Sequence, residues 1–245
     1  MMRVDISDAE AVASLVGAVR PAQIVHLAAQ AGVRDSLENP VAYQKSNLAG
    51  HLAVLEASRR VGVKSLVYAS SNSVYGKRPL RGRSFSETDA TDAPESLYAA
   101  IKRAGELMST SYCKLFGLRQ SGLRFFTVYG PFGRPDMAYF NFTQKILAGE
   151  PIEIFGNGAI ERDSTYIDDI VDGVMAVLAH PPAPGANEIY NIGRGKPEAL
   201  LRMVEIIEAR LGLKAQLVMR QMQPGDVTST FAVTTKLKLL TGYAP

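Results

Sequence analysis

Three apolar runs of strand length, Gln23 to Ala28 (QIVHLA), Ser65 to Ser70 (SLVYAS) and Gln120 to Phe126 (QSGLRFF), recur between longer segments with helical spacing. Runs that are apolar nearly throughout need cover on both faces. Helices lying between successive strands supply that cover when the strands run parallel. The chain is therefore read as α/β, with helices over roughly Asp8 to Val19, Val41 to Arg60 and Leu97 to Phe116. Ser7 or Asp8 is placed to cap the first helix, and Gly117 to stop the third. After Phe126 the texture changes to a Gly/Pro-rich loop (YGPFGRPD). Shorter elements follow, interrupted by Gly156, Gly158, the PPAPG at Pro181 to Gly185 and the QPG at Gln223 to Gly225. This predicts a main unit over 1–127 and a smaller lobe over 128–245, some of whose segments return to the first unit. The opening MMRVDISD reads as a later strand and the loop after it. Neither GxGxxG nor GxxGxxG occurs in the chain, so the glycine-rich turn that opens a dinucleotide-binding sheet is not found here.

Composition narrows the partners. A chain of 245 residues with 47% hydrophobic content can bury one sizeable core. The net charge of +3 is spread without a block of five basic residues, which argues against nucleic acid and membrane surfaces and for a small anionic ligand. Cys113 is the only cysteine, so no disulfide can form within the chain; it reads as a core thiol in a reducing cytoplasm. No apolar run approaches the roughly 18 residues that span a bilayer. Asp5, Asp8 and Glu10 stand where a signal peptide would be basic and then apolar, and the expected location is cytoplasmic. His26, His51 and His180 lack ligand spacing, so no metal is expected. Asp168 and Asp169 precede an apolar helical segment and suit the positive end of a helix.

Two local signals carry chemistry. Tyr98 and Lys102, four residues apart in SLYAAIK, share a helix face. The run Ser70-Ser71-Asn72-Ser73-Val74-Tyr75-Gly76 directly follows an apolar strand, at the sheet edge where ligands of open α/β folds bind. Taken singly, the pair is better explained as a surface contact and the cluster as a capped turn.

Together with other blocks they resemble a family. HLAAQAGVRDSLENP (His26 to Pro40), YASSNSVYG (Tyr68 to Gly76), SLYAAIK (Ser96 to Lys102), LRFFTVYGPFGRPDMA (Leu123 to Ala138), RDSTYIDDI (Arg162 to Ile170), YNIG (Tyr190 to Gly193) and QPGDV (Gln223 to Val227) resemble, in order, landmarks of the UDP-glucuronate 4-epimerases. These enzymes belong to the extended short-chain dehydrogenase/reductase family. The resemblance implies a Rossmann-like, doubly wound parallel sheet, here N-terminally truncated, with NAD as cofactor and a UDP-sugar as substrate. It implies that Tyr98 is the catalytic base, Lys102 its electrostatic partner and a ribose ligand, and Ser71 the hydroxyl on the sugar O4. A free tyrosine has a pKa of about 10, so a base at neutrality needs a fall of about two to three units, roughly 3 to 4 kcal/mol. On the cofactor side the resemblance adds Asp5, Ile6, Leu27, Ala28, Ala29, Asn47 and Phe125. On the substrate side it adds Asn72, Ser73, Thr127, Arg134, Arg162 and Asp226. A homodimer through two long helices is also implied.

The chain departs from the family pattern at Asn72, where a serine is usual, at Ile101 in place of threonine, and in a longer, more basic loop at 77–95 carrying Arg78, Arg81 and Arg83. The resemblance further implies that 4,6-dehydratases carry Asp-Glu after the catalytic hydroxyl and decarboxylases a Glu before VYG. Asn72-Ser73 has no carboxylate, which favours epimerisation over elimination. The missing glycine-rich turn keeps a non-catalytic binding protein open as the alternative, and predicts that residues 1–245 alone are inactive.

Overall fold

A computed structural model describes residues 1–76, 84–222 and 229–245. Four parallel strands, β1 (Gln23–His26), β2 (Ser65–Ser71), β3 (Gln120–Phe125) and β7 (Asn187–Ile192), form the main sheet in the order β1-β2-β3-β7. Register is fixed by pairs such as Val25 with Val67, Tyr68 with Gly122 and Leu123 with Tyr190. Gly122 is a packing requirement: a Cβ there would lie 2.5 Å from the Tyr68 hydroxyl and 2.7 Å from Ile189 Cδ1. Helices cover both faces, as the apolar runs demand. On one face Val12 of α1 (Ala9–Val19) and Ala53, Val54 and Leu55 of α4 (Gly50–Val61) pack with Leu66. On the other, Ile170, Val174 and Val177 of α7 (Ile167–Ala179) and Leu237 of α9 (Thr235–Thr241) pack with Val67, Leu123 and Ile192.

Helix ends follow local chemistry. The Asp8 carboxylate caps α1 by accepting from Ala11 N at 3.0 Å. Helix α5 (Leu97–Phe116) is capped by Ser96, whose hydroxyl accepts from Ala99 N at 3.1 Å, and stops at Gly117 with φ +71°. The helix expected over Val41 to Arg60 is instead composite. After a short α2 (Asp35–Glu38), α3 (Pro40–Tyr43) runs through a π-helical turn at Gln44–Ala49 into α4. The wider turn carries Asn47, whose buried amide accepts from Gln30 N at 2.7 Å and donates to Gln30 O at 2.9 Å. A bond outside the helix thus accompanies the local change in pitch.

The remaining strands build two small sheets. β4 (Thr127–Tyr129) and β10 (Ser229–Thr230) flank β6 (Glu161–Tyr166) in parallel, and β8 (Pro197–Ala199) pairs with β6 antiparallel. β5 (Ile152–Phe155) pairs with β9 (Leu217–Arg220). Ile152 and Ile154 are buried between Phe142 and Ile146 of α6 (Ala138–Ala148) and Val204 of α8 (Leu200–Leu211).

Three expectations need correction. Residues Met1–Asp5 are not a strand, because no described residue pairs with them; Val4 and Ile6 pack against the α1/α4 cluster instead. β1 ends at His26, two residues early, where the chain turns away from β2 and leaves Leu27 half exposed. β3 ends at Phe125, although Phe126 N still reaches Ile192 O at 3.1 Å. Among the described residues no helix is long and apolar enough to cross a membrane, and no group of three or more His, Cys, Asp or Glu side chains could hold a metal.

Candidate active site

The carboxyl ends of β1, β2 and β3 open onto a cavity of about 500 Å³. Parallel strands bring their ends to one edge, and the chain must leave the sheet there, so side chains just past each strand converge. From β2 come Ala69, Ser70 and Ser71; the Ser71 hydroxyl also starts the following 3₁₀ turn by accepting from Ser73 N at 3.2 Å. From α5 come Tyr98 in the first turn and Lys102 in the second. The Lys102 ammonium donates to Ala69 O at 2.8 Å and lies 6.0 Å from the Tyr98 ring centre. Tyr43 meets the Tyr98 ring edge-on at 6.1 Å and is tethered by its own hydroxyl to Gly32 O at 2.9 Å.

Of the residues expected on the cofactor side, Leu27, Ala29, Phe125, Tyr98 and Lys102 line this cavity. Ala28 and Asn47 line a small adjoining hollow of about 10 Å³, room for one water, together with His26, His51 and Lys102. Asn47 spends its amide on Gln30, which shapes the loop after β1. On the substrate side Ser71, Asn72, Ser73, Thr127 and Arg134 line the same cavity.

Three expected residues stand apart. Asp5 accepts from Ser7 N and Ser7 Oγ, both at 2.9 Å, and so closes a turn before α1. Ile6 packs under Gly50, where an added Cβ would lie 2.8 Å from its side chain. Arg162 lies on β6 and donates to Glu161 O at 2.8 Å, off the cavity wall. Asp226, the rest of QPGDV, and Arg78, Arg81 and Arg83 lie outside the described residues.

At Tyr98 the protein's own groups do not supply the fall that a base at neutrality needs, which leaves that part to the positive nicotinamide. Burial pushes its phenol up, and this outweighs the Ser71 hydroxyl and the Arg134 guanidinium, which both pull it down. The chain's own groups keep the phenol protonated instead of lowering its pKa, because loss of water costs the phenolate more than these two partners return. Burial also brings Lys102 down to about 8. Behind it, His26 and His51 stack at 5.4 Å, with burial the main cause that lowers them to about 4 and about 3.

Sequence reading missed the charged layer beneath these groups. Glu106, one turn beyond Lys102 on α5, is 1% exposed. It accepts from Arg124 Nε and Nη2 at 2.8 Å each, from Arg103 Nη1 at 2.9 Å and from Ser70 Oγ at 2.6 Å. Burial opposes its charge, but Arg124 and the other donors prevail and hold the carboxyl below its usual range. The i, i+4, i+8 spacing of Tyr98, Lys102 and Glu106 was the available signal. Buried Asp163, beside Arg162, was also missed; it accepts from Arg194 N, Gly195 N and Ala232 N at 3.0, 2.9 and 3.0 Å. So was Asp136, whose carboxylate takes Arg134 Nε and Nη2 at 3.0 Å each.

The residues present suit the ribose and nicotinamide side of a dinucleotide. Among the described residues Lys102 donates to Ala69 O and has further N–H donors to give to vicinal hydroxyls, while Leu27 and Ala29 offer small apolar surface at the strand end.

Comparison with known proteins agrees. Residues 1–193 match the family model described as "NAD dependent epimerase/dehydratase family". An uncharacterised protein of Methanocaldococcus jannaschii is 50% identical over 91% of this chain and 67% of its own length. A probable UDP-glucuronate 4-epimerase of Rhizobium meliloti is 43% identical over 92% of this chain and 70% of its own. The solved UDP-glucuronic acid 4-epimerase of Bacillus cereus, in complex with UDP-glucuronic acid and NAD, is similar with a TM-score of 0.90 and 31% identity, over 100% of this chain and 76% of that one.

Proposed function

Because the chain belongs to the NAD dependent epimerase/dehydratase family, we propose that it interconverts UDP-glucuronate and UDP-galacturonate through a 4-keto sugar. The observation that carries this reading is the meeting of Ser71, Tyr98 and Lys102 on one cavity wall, with Asn72 and Ser73 after the serine in place of carboxylates. NAD, when bound, supplies a hydride acceptor and a positive charge. Tyr98 moves the proton of the sugar O4, Ser71 holds that oxygen, and Lys102 keeps an ammonium near the phenol. Asn72 and Ser73 offer amide and hydroxyl donors but no acid to drive loss of water from the ring. Residues 1–127 serve the cofactor and the proton transfer, and 128–245 mainly the UDP-sugar.

Tyr98→Phe removes the proton-transferring hydroxyl and little else. Conversion of UDP-glucuronate in the presence of NAD should disappear in this variant while nucleotide-sugar binding persists. Undiminished conversion would remove Tyr98 from its role, and a wild-type preference for UDP-glucose would overturn the substrate.

The same reading places the protein in the cytoplasm as a homodimer. Helices α4 and α5 expose Leu52, Leu107, Leu115 and Phe116, apolar side chains that a second copy could cover. Sedimentation of the wild type against Leu107→Lys tests the dimer.

A further inference from the structure

The loop that follows β4 carries both members of an ion pair. Arg134 and Asp136 are joined by two parallel N–H···O bonds of 3.0 Å, made through the Nε–Nη2 edge of the guanidinium. Arg134 borders the cavity and its charge is felt at the Tyr98 phenol. The protein's own carboxylate therefore occupies one of the two edges by which the guanidinium could pair with an acidic sugar, and offsets part of its charge. The two side chains are 43% and 64% exposed, so water screens the pair and little holds it shut.

We propose that Asp136 is a specificity-determining residue, which holds the Arg134 fork in the free protein and yields it to the sugar carboxylate on binding. The inference rests on the reading of the substrate as UDP-glucuronate. Exchange of one carboxylate for another keeps the guanidinium paired at every stage. A neutral hydroxymethyl group offers no such exchange and leaves Arg134 on Asp136. Asp136 thus lowers the affinity for the acidic sugar without touching that for a neutral one. It also provides a partner for Arg134 whenever the sugar carboxylate lets go, as it must while the ring turns over between its two faces.

Calorimetric titration of UDP-glucuronate and UDP-glucose into wild type, Asp136→Asn, Asp136→Glu and Arg134→Ala tests this. Asp136→Asn should bind UDP-glucuronate two- to fivefold more tightly and UDP-glucose unchanged within twofold. Asp136→Glu, which keeps a carboxylate, should return the wild-type value. Unchanged or weaker UDP-glucuronate binding in Asp136→Asn overturns the exchange, as does an equal shift for both sugars. If the wild type does not discriminate between the sugars and Arg134→Ala binds both as before, the substrate reading fails and the exchange with it. A preference lost in Arg134→Ala but insensitive to Asp136→Asn sinks the exchange alone.

Discussion

Ser70 and Glu106 are linked by a 2.6 Å hydrogen bond that ties strand β2 to helix α5 directly beneath the cavity. Its neighbours on the strand are Ala69, the carbonyl partner of Lys102, and Ser71, which acts on Tyr98. The bond therefore sets the register between the two elements that carry the site. Ser70→Ala removes it without disturbing charge and should cost about 1 kcal/mol of stability. Glu106→Gln also deprives the buried Arg124 of its counter-charge and should cost about 3 to 5 kcal/mol. Urea unfolding of the two variants measures the difference; equal, small losses would show that Arg124 finds another partner.

Lys102 is an ammonium held partly out of water, with its pKa brought to about 8 by burial. The unfolded chain keeps that proton up to a higher pH, so between about pH 8 and 10 the unfolded state binds more protons and this group's unfavourable contribution fades as pH rises. Lys102→Met should accordingly stabilise the fold by about 1 to 2 kcal/mol near neutrality, after allowing for the lost bond to Ala69 O. It should also abolish turnover. A destabilised Lys102→Met, seen as a lowered Tm at pH 7, would mean that the hydrogen bond outweighs the desolvation.

His26 and His51 are neutral in the folded state, at about 4 and about 3, chiefly through burial. Unfolding lets both regain a pKa of about 6.5. Below that value the unfolded state takes up protons that the folded state refuses, so stability falls as pH drops from about 6.5 toward 4. Roughly 2 to 4 kcal/mol should be lost between pH 7 and pH 5. Unfolding free energies across this range check it, and His26→Gln should reduce the slope by about half. A flat profile would place both rings in contact with solvent.

Gly122→Ala is expected to destabilise the main sheet by about 1 to 3 kcal/mol. The added methyl would press on the Tyr68 hydroxyl and Ile189 Cδ1, at 2.5 and 2.7 Å. Tyr68 is buried and cannot swing away into water, so the cost falls mainly on its ring. A thermal melt of the variant with no loss of Tm would show that Tyr68 has room to shift.

Local chemistry explains what could be read before any coordinates. Helix α5 has a serine cap, helical spacing and a glycine stop within its own 20 residues, and both ends match the sequence reading. The segment after Val41 fails the same reading because the π-helical turn there depends on Asn47 reaching Gln30, 17 positions earlier. Asp5 and Ile6 were assigned by resemblance alone; within the chain Asp5 closes a turn with Ser7 and Ile6 packs against Gly50, contacts that a sequence window does not rank. The Glu106 layer unites residues from two strands and a helix, a grouping no short window displays. The Arg134–Asp136 pair is local, but its meaning depends on a cavity formed by distant strands.

The buried cluster that joins Val67 and Leu123 to Leu237 and Tyr243 has a consequence for synthesis on the ribosome. The central strands β2 and β3 are translated before helices α7 and α9, so one face of the sheet must stay uncovered while the intervening chain is made. Closing so distant a contact carries a large loop entropy before any packing repays it. A nascent chain stalled ahead of Ile167 would present Val67 and Leu123 to solvent, and chaperones that hold apolar surface would engage it until α7, and then α9, emerges.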